Sequence, residues 1–168
     1  MKMKGFSLIE LIVVIAIVAI LVMFSMPFTE KIIGQYRAKS EQRTLLNLIS
    51  FARETAMAEG RTVTLCPSLD KIHCSQDWNL PVIVFFDTNA TNIAEDEGEL
   101  LRVAEPVTHG TLTFAVFPIG NFLQFTEDGF SLNQNGTFQY CAKNQSWQII
   151  INRIGRMRVV EGGECSEN

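Results

Sequence analysis

The sequence predicts an α+β fold: a long N-terminal α-helix, its first half transmembrane, packs its second half on a mostly antiparallel β-sheet head. Three observations carry this. There is no polar side chain from Leu11 to Phe24, and no second run of that kind occurs. Apolar residues then recur at helical spacing as far as Gly60. Beyond Gly60, short alternating or apolar segments are separated by turn signals. At 168 residues, 47% hydrophobic and 19% charged, the chain has material for one domain besides its apolar end.

From Phe6 to Phe28 the run is interrupted only by Ser7, Glu10, Ser25 and Pro27. As a helix it would span about 35 Å, enough for a bilayer core. Lys2 and Lys4 precede it, and such residues stay cytoplasmic, which sends the remainder across the membrane. A cleaved secretory signal would end in a small-residue site, which "VMFSMPF" lacks. Cys66, Cys74, Cys141 and Cys165 are even in number, and in an oxidising compartment they predict two disulfides rather than a metal site. Three pairings are open; sequence proximity favours Cys66 with Cys74, leaving Cys141 with Cys165. Glu10 is the anomaly, because a carboxylate at the centre of a membrane helix costs about 2.5 to 3.5 kcal/mol.

Residues 29–60 predict a continuation of the helix. Thr29 to Ala58 contains no proline, and Leu45, Leu48, Ile49, Ala52 and Ala56 form one apolar face. Gly60 is the expected stop. Residues 61–168 predict the head, with β segments in "RTVTLC", "PVIVFFD", "TLTFAVF", "FLQF", "GTFQYC", "SWQIII" and "RMRVV". Asp128-Gly129 and Asn135-Gly136 read as turns between them. Short nonhelical connections predict antiparallel pairing.

"KGFSLIE" resembles the processing site of type IV prepilins and type II secretion pseudopilins. The resemblance implies a leader of residues 1–5, cut between Gly5 and Phe6 by a prepilin peptidase that methylates the new N-terminal Phe6. Residues 6–28 then serve as transmembrane and assembly helix, with Pro27 where such proteins commonly place a helix-bending proline. It also answers Glu10. The amino group on Phe6 is largely cationic at neutral pH. In a filament of parallel helices, Glu10 of one subunit pairs with Phe6 of a neighbour, and each charge offsets the other's desolvation. A Glu10 that snorkels to the headgroups is the plainer alternative.

The head resembles the FimT-like and GspH-like minor pilins, in "FARETAMAEGRTVTLCPS", "DWNLPVIVFFDTN", "GTFQYC" and "IINRIGRMRV". "WNLPV" departs from the pattern, with Leu80 and Pro81 where glycine is frequent. Gly155 to Arg158 match the G-R-x-R of FimT-like pilins, which implies DNA binding for uptake in natural transformation. The resemblance further implies other pilin subunits as partners, the bacterial inner membrane as the site before assembly, a periplasmic head, and a pilus at the cell surface.

Without Lys2 and Lys4 the 14 basic residues become 12, against 18 acidic, a net of −6. That balance argues against nucleic acid. Distribution argues for it: between Gln139 and Val160 there is no acidic residue, and Lys143, Arg153, Arg156 and Arg158 fall in that window. Screening confines surface charge to roughly 8 Å at physiological salt, so a local patch suffices. In an extended segment Arg156 and Arg158 share a face, and Gly155 permits a turn that brings Arg153 beside them and lets a strand approach closely. No recognition helix is evident, so contact is expected with DNA phosphates, insensitive to sequence. Lone arginines on a late strand also serve as edge protection, or pair with acids such as Glu161 and Glu164. The competing reading is a structural minor pilin or type II secretion pseudopilin that primes or caps a filament.

No enzyme, cofactor or metal is expected. His73 and His109 are the only histidines, and Ser68, Asp70 and His73 in one short loop read as turn chemistry inside a disulfide ring. "DTNATNIAEDEGE" lacks a glycine at the sixth position of a calcium loop and has Gly98 at the twelfth, so Glu95, Asp96, Glu97 and Glu99 read as a solvated acidic loop. Sequons at Asn89, Asn135 and Asn144 carry no argument. Tyr140 and Trp147 read as core rather than as a stacking platform.

Overall fold

The computed structural model of the chain describes residues 7–163 and 165, apart from 90, 95, 96, 118, 119, 132–134 and 144. Gly5 and Phe6 lie outside the described residues, as do Glu95, Asp96, Asn144 and Glu164. The chain divides into two compact units, Met1–Tyr36 and Arg37–Asn168. One helix, α1, runs from Leu8 to Glu59 and so contributes to both. In the first unit its side chains from Leu8 to Met23 are exposed on every side, Leu8 by 77% and Met23 by 76%. Among the described residues no helix is long and apolar enough to cross a membrane. The sequence window from Phe6 to Phe28 reaches beyond the side chains described there.

In the second unit, α1 buries the apolar face its spacing predicts: Leu45, Leu48, Ile49, Ala52 and Ala56, with Ala38 one step earlier. The helix ends where glycine allows it. Gly60 has φ +61°, and the Arg61 N–H donates to the Ala56 carbonyl at 3.3 Å, the six-to-one bond that closes a helix around a left-handed residue.

Among the described residues eight strands follow: β1 Val63–Pro67, β2 Val82–Phe86, β3 Leu100–Ala104, β4 Thr111–Phe117, β5 Leu123–Phe125, β6 Asn135–Ala142, β7 Gln145–Ile151 and β8 Met157–Glu161. A 3-10 turn, Glu97–Glu99, precedes β3. Two four-stranded sheets form, ordered β3-β2-β1-β5 and β4-β6-β7-β8, and their strand pairs are antiparallel. Short connections account for the β6–β7 and β7–β8 pairs, whereas residues 68–81 and 87–99 separate β1, β2 and β3, and β1–β5 and β4–β6 join strands that are not consecutive.

The main core lies between α1 and both sheets. Val63, Leu65, Val84 and Phe125 meet it from the first sheet, and Phe138, Tyr140, Trp147, Ile149 and Ile151 from the second. The alternation of "RTVTLC" suggests one solvated face, but β1 and β2 are buried throughout. Their second face carries Cys66, Ile83 and Phe85, packed with Ala94, Cys74 and Phe122. Buried Thr64 and Gln124 do not go unsatisfied: both donate to Asp87 Oδ2, at 2.9 and 3.0 Å. Disulfides join Cys66 to Cys74 and Cys141 to Cys165.

One turn expectation needs correction. Asn135-Gly136 does not make a turn; it opens β6, with Gly136 paired to Val116 and Ile151. A Cβ on Gly136 would stand 2.5 Å from the Phe114 ring, so glycine is there to admit an aromatic side chain from the neighbouring strand.

Candidate nucleic-acid interface

The β7–β8 hairpin presents the basic residues, and asparagines shape its loop. Asn152 accepts the Arg156 N–H on Oδ1 at 2.8 Å and the Gly155 N–H on its carbonyl at 2.9 Å, while its own N–H donates to the Arg156 carbonyl at 3.1 Å. The Arg153 N–H donates to Asn135 Oδ1 at 3.0 Å. Ser131 fastens the loop from outside: its N–H donates to the Arg153 carbonyl at 3.1 Å and its hydroxyl to that of Asn152 at 2.9 Å. The sequence reading gives Asn135 only a turn and a sequon, and singles out neither Asn152 nor Ser131. Their residue types favour turns, but nothing local in the sequence marks contacts made across strands.

Gly155 takes a different part from the one expected. It is buried rather than open to an approaching strand. Its φ is +72°, and a Cβ there would stand 2.3 Å from the Gly129 carbonyl and 2.7 Å from Arg53 Nε. Arg53 Nε itself donates to the Gly129 carbonyl at 2.9 Å. Gly155 therefore seats the hairpin against α1 and the Asp128-Gly129 turn, which leaves Arg153, Ile154 and Arg156 facing out.

Along β8, Met157 turns inward to the core while Arg158, opposite Ile150, is exposed. Arg158 thus lies on the outward side of an edge strand, and Arg156 is exposed in the loop that leads into it. Among the described residues neither forms an ion pair. Glu161 is taken by Lys39 Nζ at 2.5 Å, with Gln42 Nε2 at 3.5 Å, and the Lys39 hydrogen bond holds its carboxyl below the usual range.

The other members of the predicted patch are less well gathered. Lys143 is exposed in the β6–β7 turn, and the seven residues of β7, about 20 Å of strand, separate it from the arginines. Arg153 lines a cleft of about 570 Å³ with Thr62, Thr126, Ile154 and two acids, Glu127 and Asp128. Tyr140 and Trp147 are 1% and 2% exposed and stack on each other at 4.9 Å, so no base can reach them. The Tyr140 hydroxyl donates to the His109 carbonyl, and burial pushes its pKa up.

Elsewhere, Ser68, Asp70 and His73 form a closed turn. Asp70 Oδ1 accepts the Ser68 hydroxyl at 3.0 Å and the N–H groups of Ile72 and His73 at 2.9 and 2.8 Å; His73 Nδ1 lies 2.7 Å from Oδ2. Among the described residues no three His, Cys, Asp or Glu side chains converge to hold a metal ion. Glu99 of the acidic loop pairs with Arg61 at 3.5 Å.

Two families match the chain: the prokaryotic N-terminal methylation motif over residues 1–26 and the type II transport protein GspH over residues 41–155. The fold is similar to that of the type IV minor pilin FimU of Pseudomonas aeruginosa, with a TM-score of 0.56 and 22% identity over 80% of this chain and 92% of that one. It is also similar to the minor pseudopilin EpsH of the Vibrio cholerae type 2 secretion system, with a TM-score of 0.54 and 14% identity over 76% of this chain and 99% of that one. Comparison with curated proteins gives no match. The GspH match takes in most of the chain and follows the methylation motif in sequence, so the chain belongs to the GspH family of minor pilins and pseudopilins.

Proposed function

We propose that this minor pilin binds DNA through its C-terminal hairpin for uptake in natural transformation. The observation that carries the reading is the pair Arg156 and Arg158: both exposed and unpaired with any described carboxylate, Arg158 on the outward face of β8 and Arg156 in the loop just before that strand. Alternate residues of an extended segment are about 6.6 Å apart along the backbone, and each guanidinium can fork onto a phosphate. Binding through phosphates alone is independent of sequence and strongly salt-sensitive. Single subunits bind weakly, and several copies on one filament raise the affinity by avidity.

In the same proposal the peptidase cuts after Gly5, residues 6–28 hold the subunit in the inner membrane with the head in the periplasm, and Glu10 meets the methylated Phe6 of a neighbouring subunit on assembly. The methylation-motif match over residues 1–26 supports this part. Exposure of the apolar side chains from Leu8 to Met23 supports it too, since they offer bilayer or sister helices a continuous surface.

A second reading has a specific observation in its favour. The mature balance of −6, with Glu127 and Asp128 beside Arg153, suits a subunit that primes or caps a pilus or secretion pseudopilus without touching DNA. Titrating the full chain in nonionic detergent with duplex and single-stranded DNA, beside an Arg156→Gln, Arg158→Gln variant, separates the two. Binding that the double variant loses supports the DNA role. Absence of wild-type binding at low salt and high protein concentration would leave the structural subunit.

A further inference from the structure

The cationic surface extends from the sheet onto the helix. β8 and α1 are fastened together at two levels. Glu161 is held by Lys39 and Gln42 at one. At the other, Gly155 sits against Arg53, whose Nε is 2.7 Å from where a Cβ on Gly155 would be. Between these anchors the chain from Gly155 through β8 to Glu161 spans at most about 20 Å, and the helix from Lys39 to Arg53 about 21 Å. The two elements therefore run antiparallel and in step.

Four residues along the helix from Lys39, about 6 Å, bring Arg43 level with Val159, the neighbour of Arg158. Arg43 also lies about 40° round the helix from Lys39, turned away from the buried line of Ala38, Leu45 and Ile49. It is exposed, and its neighbours three and four residues away, Lys39, Ser40, Leu46 and Asn47, include no carboxylate. Val159, on β8 at this level, is itself 37% exposed. Lys39 and Glu161 neutralise each other below this level, and Glu54 closes the basic stretch at the level of the hairpin.

We infer that Arg43 is a further phosphate contact, so that a nucleic-acid backbone passing Arg156 and Arg158 on the outward side of the sheet turns over the edge at β8 to reach Arg43 on α1. This rests on the DNA reading above. Nothing in the sequence window from Gln139 to Val160 points to Arg43, which lies more than a hundred residues earlier; only the pairing of α1 with β8 brings it in.

The test uses the full chain in nonionic detergent and duplex DNA, with salt titrations of wild type, Arg43→Gln, Arg37→Gln and the Arg156→Gln, Arg158→Gln double variant. Arg37 is exposed too, but about 120° round the helix from Arg43, so it controls for net charge. One lost phosphate contact lowers the magnitude of the slope of log K against log salt by about 0.9, equivalent to about fivefold weaker binding at 0.15 M salt. That loss is expected for Arg43→Gln and not for Arg37→Gln, with thermal unfolding of both unchanged. If the double variant loses binding while Arg43→Gln matches wild type, the contacts end at β8 and the inference is overturned while the DNA reading stands. Equal losses from Arg43→Gln and Arg37→Gln would also overturn it, in favour of diffuse charge. No wild-type binding removes the DNA reading and this inference together.

Discussion

Gly155 shows how a single position sets where the arginines stand. Its backbone is left-handed, and the space a side chain would need holds the Gly129 carbonyl. Gly155→Ala is expected to cost at least about 1–3 kcal/mol, from backbone strain with overlap added to it. Gly162, with φ +83° but open space around a Cβ, is the comparison: Gly162→Ala bears the strain alone. Urea unfolding followed by tryptophan fluorescence checks both, and equal costs would show that close packing at Gly155 contributes nothing. Asp70 is the corresponding position in the disulfide loop. The His73 ring, then the His73 and Ile72 N–H groups, hold its carboxyl well below the usual carboxylate range. A depressed folded pKa means the contribution to stability is complete above that usual range and lost as pH falls through the lowered value. In an NMR titration the Asp70 carboxyl should stay ionised below the usual carboxylate range, and His73→Ala should raise its midpoint. An ordinary midpoint in the parent protein would remove the hydrogen-bond account.

Among elements, β7 is the tie between the second sheet and α1. The Trp147 indole N–H donates to the Ala38 carbonyl at 3.0 Å, whereas the Trp78 indole N–H, also buried, has no partner among the described residues. Trp147→Phe is therefore expected to cost about 1–3 kcal/mol from the lost bond and the smaller ring, and Trp78→Phe less, as a difference in urea midpoints. The opposite order would contradict this assignment of partners. The buried face of α1 could be read in the sequence because Leu45, Leu48, Ile49, Ala52 and Ala56 repeat with the helical period and Gly60 stops it. The two-sided burial of β1 and β2 could not. Thr64 looks like a solvent-facing residue until Asp87 and Gln124, far along the chain, are seen to satisfy its hydroxyl. Gly136 reads as a turn for the same reason: the Phe114 ring it admits belongs to another strand.

For the whole molecule, what matters is where charge lies rather than how much there is. The chain's net charge of −4 says nothing about a hairpin on which Arg156 and Arg158 have no described acid paired to them, since Glu161 is bound to Lys39. The arginine pair was legible in the sequence through its alternate spacing beyond a glycine. The rest of the patch was not, because residues adjacent in the chain are separated by the fold: a strand places Lys143 at the far end, and the cleft gives Arg153 acidic neighbours. Conversely, Arg43 enters only through α1 running beside β8. Family membership carries the filament, while DNA capture rests on those side chains alone. The most direct measurement is the salt dependence of duplex DNA binding by the full chain, wild type against Arg156→Gln, Arg158→Gln. The slope of log K against log salt should fall in magnitude by about 1.8, the loss of two phosphate contacts, in a variant that unfolds at the parent temperature. An unchanged slope would contradict the account by placing any DNA contact elsewhere on the molecule.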